Sequence, residues 1–262
     1  MNKRSLVLVA RFGYAARGTV YVLIGVLALL ATIRGAGGKT TGSRGALAAL
    51  SDQSWGTAVI VVIAVGLVAF AGWRMVQSVL DTDDHKKTAH GLIIRASLGV
   101  SGITHLLLGL YAGNLAMRLS SVSGSGGSGS QDAAAWVLQQ PYGRYALGAI
   151  AIIIMGAALA HIWKGASGGF RDRLAMSPTL LDRVSPLCGF GLIARGLIFS
   201  VIAVFFFYAA FTIDPDQAGG LESALQWLRQ QPYGLAFYGT AAAGLLAFGL
   251  YGYIEAVWRR VG

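Results

Sequence analysis

Apolar residues dominate six stretches of the chain, each about twenty residues long, and polar or glycine-rich segments separate them. A run of this length spans the hydrocarbon core of a bilayer as a helix, because lipid offers the backbone no hydrogen-bond partners. The pattern therefore predicts an all-α, polytopic membrane protein with six transmembrane helices. We place these helices near residues 14–33, 57–76, 98–117, 145–163, 189–211 and 235–257.

Two distant parts of the chain repeat each other. Residues 10–75 align with residues 188–253 without a gap. In this alignment Phe12-Gly13 and Ala16-Arg17-Gly18 return as Phe190-Gly191 and Ala194-Arg195-Gly196. Internal repetition of this kind determines the architecture before any local pattern does.

A third copy lies between these two, since residues 136–143 match residues 227–234. We expect one membrane domain over 1–262, built from repeat 1 (10–80), repeat 2 (92–167) and repeat 3 (188–258). Each copy holds two spans, so all three enter the membrane in the same orientation. We therefore expect three helical hairpins related by a pseudo-threefold axis along the membrane normal. Repeat 2 also carries a Gly/Ser-rich insertion at 118–132, which is typical of a flexible surface linker.

Each connection between the two helices of a repeat ends in a short amphipathic segment. These segments cover residues 46–50, 133–138 and 221–228, and an aromatic-glycine pair follows each of them. We expect three short interfacial helices that cap the bundle on its outer side, each with a sharp turn into the next span. The tryptophans lie near the predicted membrane edges, as they do in aromatic belts.

The low content of charged residues excludes a soluble domain, and their distribution along the chain predicts an orientation in the membrane. Only 12% of the residues are charged, whereas soluble domains have about 25%. Of the 21 Lys and Arg residues, 15 lie on the side that holds both termini and 6 lie on the other. Basic residues mark the cytoplasmic side, so both termini should be cytoplasmic. The net charge of +10 is then mostly a topology signal, and the short, scattered basic stretches argue against nucleic-acid binding.

Several polar residues lie inside the predicted spans near the cytoplasmic side. Arg17 and Arg195 occupy equivalent positions, and Ser101 replaces them in the middle repeat. Arg74 and His161 are equivalent near the ends of the second helices. In one interpretation the arginines snorkel to lipid phosphates. In the other they form a shared basic pocket that binds an anionic headgroup or a small anion.

His105 is the deepest ionisable residue, at a position that is aromatic in the other two repeats. It is either a neutral hydrogen-bond donor to a neighbouring helix, or a proton relay or ligand. A haem held by His105 and His161 is disfavoured, because their estimated depths differ by roughly 7 Å at 1.5 Å per residue. We expect no cofactor. The chain also shows no nucleophile with a base, no P-loop and no metal-ligand spacing, so we expect no enzymatic activity.

The repeated cores at 12–21 and 190–199 resemble those of a family of bacterial membrane proteins, domain of unknown function 1206, which carry three two-helix repeats. The resemblance covers nearly the whole chain. The middle repeat departs from the aromatic-Gly and Ala-Arg-Gly pattern of the family, because it has Ser101 in place of the arginine. It implies a multi-pass protein of the bacterial cytoplasmic (inner) membrane and no established activity.

These features favour a bundle that binds or passes a small solute, ion or lipid along a central axis. The alternative is a non-catalytic scaffold or accessory subunit whose glycine-lined faces bind another membrane protein. A haem-binding electron carrier is the third, least favoured interpretation. The expected partners are membrane lipids, including an anionic lipid or small anion, and a membrane-protein partner or second copy, without nucleic acid.

The orientation can be tested with cysteine labelling in intact cells. We expect a membrane-impermeant thiol reagent to label a Gly126→Cys variant from outside and to leave a His85→Cys variant unlabelled until the cells are opened. The opposite accessibility would contradict the orientation that the basic residues predict.

Overall fold

The computed structural model describes residues 3–33, 42–51, 53–81, 88–117 and 129–260. Its helices are α1 (Lys3–Ile33), α2 (Ser43–Ser51), α3 (Gly56–Leu80), α4 (Ala89–Ala116), α5 (Gly129–Leu138), α6 (Gly143–Ser167), α7 (Pro178–Thr212), α8 (Leu221–Gln230) and α9 (Gly234–Trp258). Six of them are long and apolar enough to cross a membrane, so the predicted all-α, polytopic architecture is confirmed. The labelling positions 85 and 126, and the insertion as far as residue 128, lie outside the described residues.

Three of the long helices begin earlier than the hydropathy pattern predicts. The first described residues of α1, α4 and α7 are Lys3, Ala89 and Pro178, whereas the predicted spans begin at residues 14, 98 and 189. An apolar run marks only the part of a helix that lies in lipid, and capping decides where the helix starts. Thr88 caps α4 by accepting a hydrogen bond from the Gly91 N–H at 3.1 Å. Pro178 lies in the first turn of α7, where no backbone N–H is needed.

The short helices α2, α5 and α8 lie where the amphipathic segments predict them, each between the two long helices of one repeat. We call their end of the bundle the capped end, and the opposite end, where α1 begins and α9 ends, the terminal end. The turns after them require glycine. A Cβ atom at Gly56, Gly143 or Gly234 would lie 1.7–2.2 Å from a carbonyl oxygen of the preceding short helix.

Each repeat packs more extensively against the other repeats than within itself. The largest helix-to-helix contacts are α3 with α4, α6 with α7, and α9 with α1, and each joins two different repeats. The pairs α1–α3 and α7–α9 inside repeats 1 and 3 are the next largest, and a much smaller α4–α6 contact closes the ring of long helices. The sequence predicted the hairpins but not that the junctions between them carry most of the packing.

The same close approach recurs at every junction between repeats. Gly18, Gly102 and Gly196 are equivalent residues, and each faces the backbone of a neighbouring helix. An ideal Cβ on them would lie 2.8 Å from the Gly249 oxygen, 3.3 Å from the Ala71 oxygen and 2.7 Å from the Ala158 oxygen, respectively. Helices in lipid approach this closely only where side chains are small. The facing residues are equivalent too, although the threefold axis itself stays a prediction.

Glycine also closes the hairpins of repeats 1 and 3, again at equivalent positions. A Cβ on Gly13 would lie 2.6 Å from the Phe70 Cα, and one on Gly191 would lie 2.5 Å from the Phe248 nitrogen. In the second pair of contacts, a Cβ on Gly66 would lie 2.3 Å from the Ala16 Cβ, and one on Gly244 would lie 2.1 Å from the Ala194 Cβ. Repeat 2 has Ser97 and Ile153 at these two glycine positions, which explains its weak α4–α6 contact.

We expect Gly191→Ala to lower the free energy of unfolding by about 1–3 kcal/mol, because the new methyl group would overlap the backbone at Phe248. Gly72→Ala is the matched control, since a Cβ there has no heavy atom within 4 Å. Alanine favours helix over glycine, so the control should be neutral or up to about 1 kcal/mol more stable. Unfolding of the detergent-purified variants measures both values, and equal stabilities would contradict the close packing of α7 on α9.

Candidate functional site: a buried arginine cluster

Arg17 and Arg195 lie inside the bundle and do not extend to its surface. Their side chains belong to the middles of α1 and α7, and they are 3% and 5% exposed. The helices that flank them, α9 for Arg17 and α6 for Arg195, cover them because glycines allow a close approach at these levels. Snorkelling to the headgroups therefore does not describe either residue, and both face the interior as the pocket interpretation requires.

Three guanidinium groups alternate with two phenylalanine rings across the terminal half of the bundle. The Cζ of Arg74 lies 4.8 Å from the Phe70 ring centroid. The Cζ of Arg17 lies between the two rings, 5.0 Å from the Phe70 centroid and 5.0 Å from the Phe248 centroid. Arg195 continues the series at 4.4 Å from Phe248. Each cation–π contact contributes about 0.5–2 kcal/mol, with the higher values away from water. Phe70 and Phe248 are equivalent residues of repeats 1 and 3, so the internal duplication builds the series.

Glu255 is the buried carboxylate of this region. Its Oε2 accepts a hydrogen bond from the Arg17 Nη2 at 2.6 Å, and its Oε1 accepts one from the Arg259 guanidinium. Lys164 stands at the equivalent position of repeat 2. Glu255 is 2% exposed and bonded to the two arginines, while the Lys164 ammonium lies 6.0 Å from the Tyr251 ring centroid.

Arg195 has a neutral partner. Its Nη1 lies 2.9 Å from the His161 Nε2, and the His161 Nδ1 lies 2.7 Å from the Ala157 carbonyl oxygen. A guanidinium can only donate, so Nε2 accepts and the proton resides on Nδ1, which donates to the carbonyl. Both ring nitrogens of His161 are therefore engaged, which leaves none for a haem iron in this conformation.

His105 and Ser101 lie on α4 at the edge of the cluster. The His105 Nδ1 lies 2.7 Å from the Ser101 carbonyl oxygen, one turn earlier in the same helix, and its ring meets the Phe70 ring edge-on at a centroid distance of 4.8 Å. One interpretation of the sequence had His105 donate to a neighbouring helix, whereas the hydrogen bond of its Nδ1 stays within α4. Phe70 links His105 to the arginine series, whereas Ser101 is half-buried and contributes no charge.

The structure thus joins Arg17, Arg74, Arg195 and His161, with His105 beside them, and it adds residues that sequence reasoning missed. Those are the rings of Phe70 and Phe248 and the ion pairs of Glu255. The two phenylalanines could have been found from the sequence, because they align in the repeat. No sequence pattern indicates the bond between Arg17 and Glu255, since it joins residues 238 positions apart.

Positive charge exceeds negative charge among the described residues of the cluster. The Glu255 carboxylate, the one described carboxylate of the cluster, lies within electrostatic range of Arg17, Arg74, Arg259 and Lys164. Arg195 lies within range of Arg17 and Arg74. The buried Nε atoms of three of these arginines have no acceptor within the part of the chain that the structure describes, namely those of Arg17, Arg74 and Arg195. A guanidinium keeps its charge in proteins, so the cluster offers both excess charge and spare hydrogen-bond donors.

Comparison with known proteins identifies the family. The model of the Domain of Unknown Function (DUF1206) matches the chain three times, at residues 12–81, 96–168 and 190–259. The chain belongs to this family. It is also similar to the uncharacterized protein YxxB of Bacillus subtilis (strain 168), with 32% identity over 254 residues that cover 96% of this chain and 90% of that protein. No solved structure matches the chain. The three matches confirm the expected family with its three repeats.

We expect Glu255→Gln to destabilise the fold by about 3–5 kcal/mol, because it leaves Arg17 and Arg259 buried without their carboxylate. The matched control is Asp182→Asn, which breaks the more exposed pair with Arg171 and should cost about 0–1 kcal/mol. Thermal unfolding in detergent measures both. The double variant Arg17→Gln/Glu255→Gln should lose less free energy of unfolding than the two single variants lose together. Strict additivity of the two losses would contradict the pairing.

Proposed function

We propose that this membrane protein binds an anionic group, of the phosphate or carboxylate type, within the arginine cluster. The observation that carries the proposal is the excess of cationic side chains over the one described carboxylate of the cluster, together with three buried Nε donors that lack an acceptor among the described residues. Buried charges in proteins are paired or ligand-bound. An oxyanion would supply the missing charge and accept the spare hydrogen bonds.

The neutral partner of Arg195 supports this assignment. Glu255 already balances Arg17 and Arg259, but Arg195 contacts the neutral His161 and the rings of Phe199 and Phe248. Aromatic faces stabilise a cation without neutralising it. Arg74 also has a neutral partner, the Gln77 Oε1 at 3.0 Å, but it is only half-buried. Arg195 is therefore the fully buried arginine of the cluster that most needs an external anion.

Binding is better supported than passage through the membrane. The capped half of the bundle is filled by apolar side chains that are fully buried, namely Ile24, Leu47, Ile60, Leu67 and Leu245. This packing closes the interior between the cluster and the capped end. The cluster itself combines cations with aromatic rings and holds its one described carboxylate in ion pairs, so we propose a binding protein and not an enzyme.

We further propose that both termini are cytoplasmic in a bacterial inner membrane. The distribution of basic residues supports this orientation. It places the cluster in the half of the bilayer that faces the cytoplasm, where both anionic headgroups and free cellular anions are available.

The test compares Arg195→Gln with Arg144→Gln, which removes an exposed arginine next to Tyr145 at the capped end. We expect inorganic phosphate, short-chain phosphatidylglycerol or both to raise the unfolding temperature of the natural and Arg144→Gln proteins at constant ionic strength. A probe at 100 times its Kd would stabilise the fold by about 2.7 kcal/mol. The Arg195→Gln variant should lose most of this stabilisation.

The two probes distinguish a free anion from a lipid headgroup. If neither probe stabilises the natural protein, or if Arg195→Gln responds as Arg144→Gln does, the proposal is wrong. The scaffold alternative, in which glycine-lined faces bind another membrane protein, would then be favoured.

A further inference from the structure

The middle repeat lacks the residues that close the other two hairpins. In repeats 1 and 3 the paired glycines bring the two helices of each hairpin into contact, and all four of those glycines are buried. The corresponding residues of repeat 2, Ser97 and Ile153, are half-buried. Helices α4 and α6 accordingly have the smallest contact between neighbours in the ring of long helices. We call the gap between them the α4–α6 cleft.

The cleft reaches the level of the arginine cluster. Ala157 of α6 stands where the other repeats have Phe70 and Phe248, and Ser101 of α4 stands where they have arginine. The two phenylalanines are 0% and 1% exposed, whereas Ala157 and Ser101 are both half-buried. At the level of the arginine cluster, the side of the bundle formed by α4 and α6 therefore carries small, half-buried side chains.

His161 and Arg195 lie at the inner end of this opening. Ala157 is one turn from His161 on α6, and its carbonyl oxygen accepts the His161 hydrogen bond. His161 is itself half-buried and contacts Arg195, whose Nε is one of the buried donors without a described acceptor. The arginine that most needs an anion is thus adjacent to the cleft.

We propose that the α4–α6 cleft is a lateral entrance for an anionic phospholipid, whose headgroup binds at Arg195 and His161 while an acyl chain lies between the two helices. This inference rests on the proposed function and names the source of the anion. Two observations select a lipid over a free anion. The cleft lies between two membrane-spanning helices, where the surrounding solvent is lipid. The residues that face each other there are apolar, since the Ile93 side chain of α4 lies in van der Waals contact with a Cβ built on Gly156 of α6 and Ile153 lies one turn earlier on α6. The positive charge at its inner end complements the headgroup.

The experiment restores the missing ring with Ala157→Phe. We expect this variant to bind short-chain phosphatidylglycerol about tenfold more weakly than the natural protein and to bind inorganic phosphate within about twofold of it. Leu159→Phe, which adds a ring to the exposed face of α6, should bind both probes as the natural protein does. Thermal-shift titration in detergent measures the affinities.

A second measurement uses the natural protein and does not depend on the fold of a variant. Phosphatidylglycerol with a photoreactive diazirine on its acyl chain, incorporated into phosphatidylcholine nanodiscs, should label peptides of α4 and α6 around Ser97, Ser101 and Ile153. Excess unlabelled phosphatidylglycerol should suppress this labelling more strongly than excess phosphatidylcholine. Labelling without this preference would overturn lateral entry.

The outcomes separate the two proposals. If phosphate and the lipid bind with an unchanged dependence on Arg195 but Ala157→Phe has no effect, the cluster is an anion site and the cleft is not its entrance. If Arg195→Gln changes neither affinity, the anion site itself is wrong, and the lateral entrance is wrong with it.

Discussion

A guanidinium group keeps its charge at any pH that a protein meets, so an arginine buried in a membrane bundle must be compensated where it lies. In this protein the compensation has three parts. Glu255 neutralises Arg17 and Arg259, the Phe70 and Phe248 rings separate successive guanidiniums, and His161 accepts from Arg195 in a defined tautomer. The remaining positive charge is the property from which the proposed function follows.

This electrostatic arrangement depends on glycine packing. Arg17 reaches Glu255 because α1 and α9 approach closely at Gly18, where a Cβ would lie 2.8 Å from the Gly249 oxygen. A wider separation would lengthen the 2.6 Å bond and admit lipid or water beside a buried charge. In the same way, the close approach of Gly196 to α6 lies next to the bond between Arg195 and His161. Packing and charge compensation therefore stabilise each other at the junctions between repeats.

Much of the fold could be predicted from the sequence, because lipid restricts the choice to helices and the repeat shows how they are grouped. The number of spans, the short capping helices and the burial of Arg17 and Arg195 inside the bundle all followed from patterns in the sequence. The helix starts at Ala89 and Pro178 did not, since capping residues outside the apolar runs set them.

The contacts between repeats could not be predicted, because hydropathy reports only whether a residue prefers lipid and not which helix it meets. The ion pair of Arg17 with Glu255 joins the first and last long helices, and neither residue's own repeat contains a hint of the other. The ring series had a signal in the alignment of Phe70 with Phe248. That signal is ambiguous in a sequence, because a repeated phenylalanine in a membrane helix most often packs against aliphatic neighbours.

The middle repeat shows how a duplicated fold acquires an asymmetric site. Three identical hairpins would carry three arginines and three phenylalanines at the level of the arginine cluster and would close the cluster on every side. Repeat 2 instead has Ser101 and Ala157 there, together with Ser97 and Ile153 in place of the closing glycines. Its junctions with repeats 1 and 3 are retained, at Gly102 and at the Ala158 contact with Gly196. The junctions between repeats are thus alike throughout the ring, whereas the interior of one hairpin differs from the other two, and this difference creates the single opening through which we propose that a lipid enters.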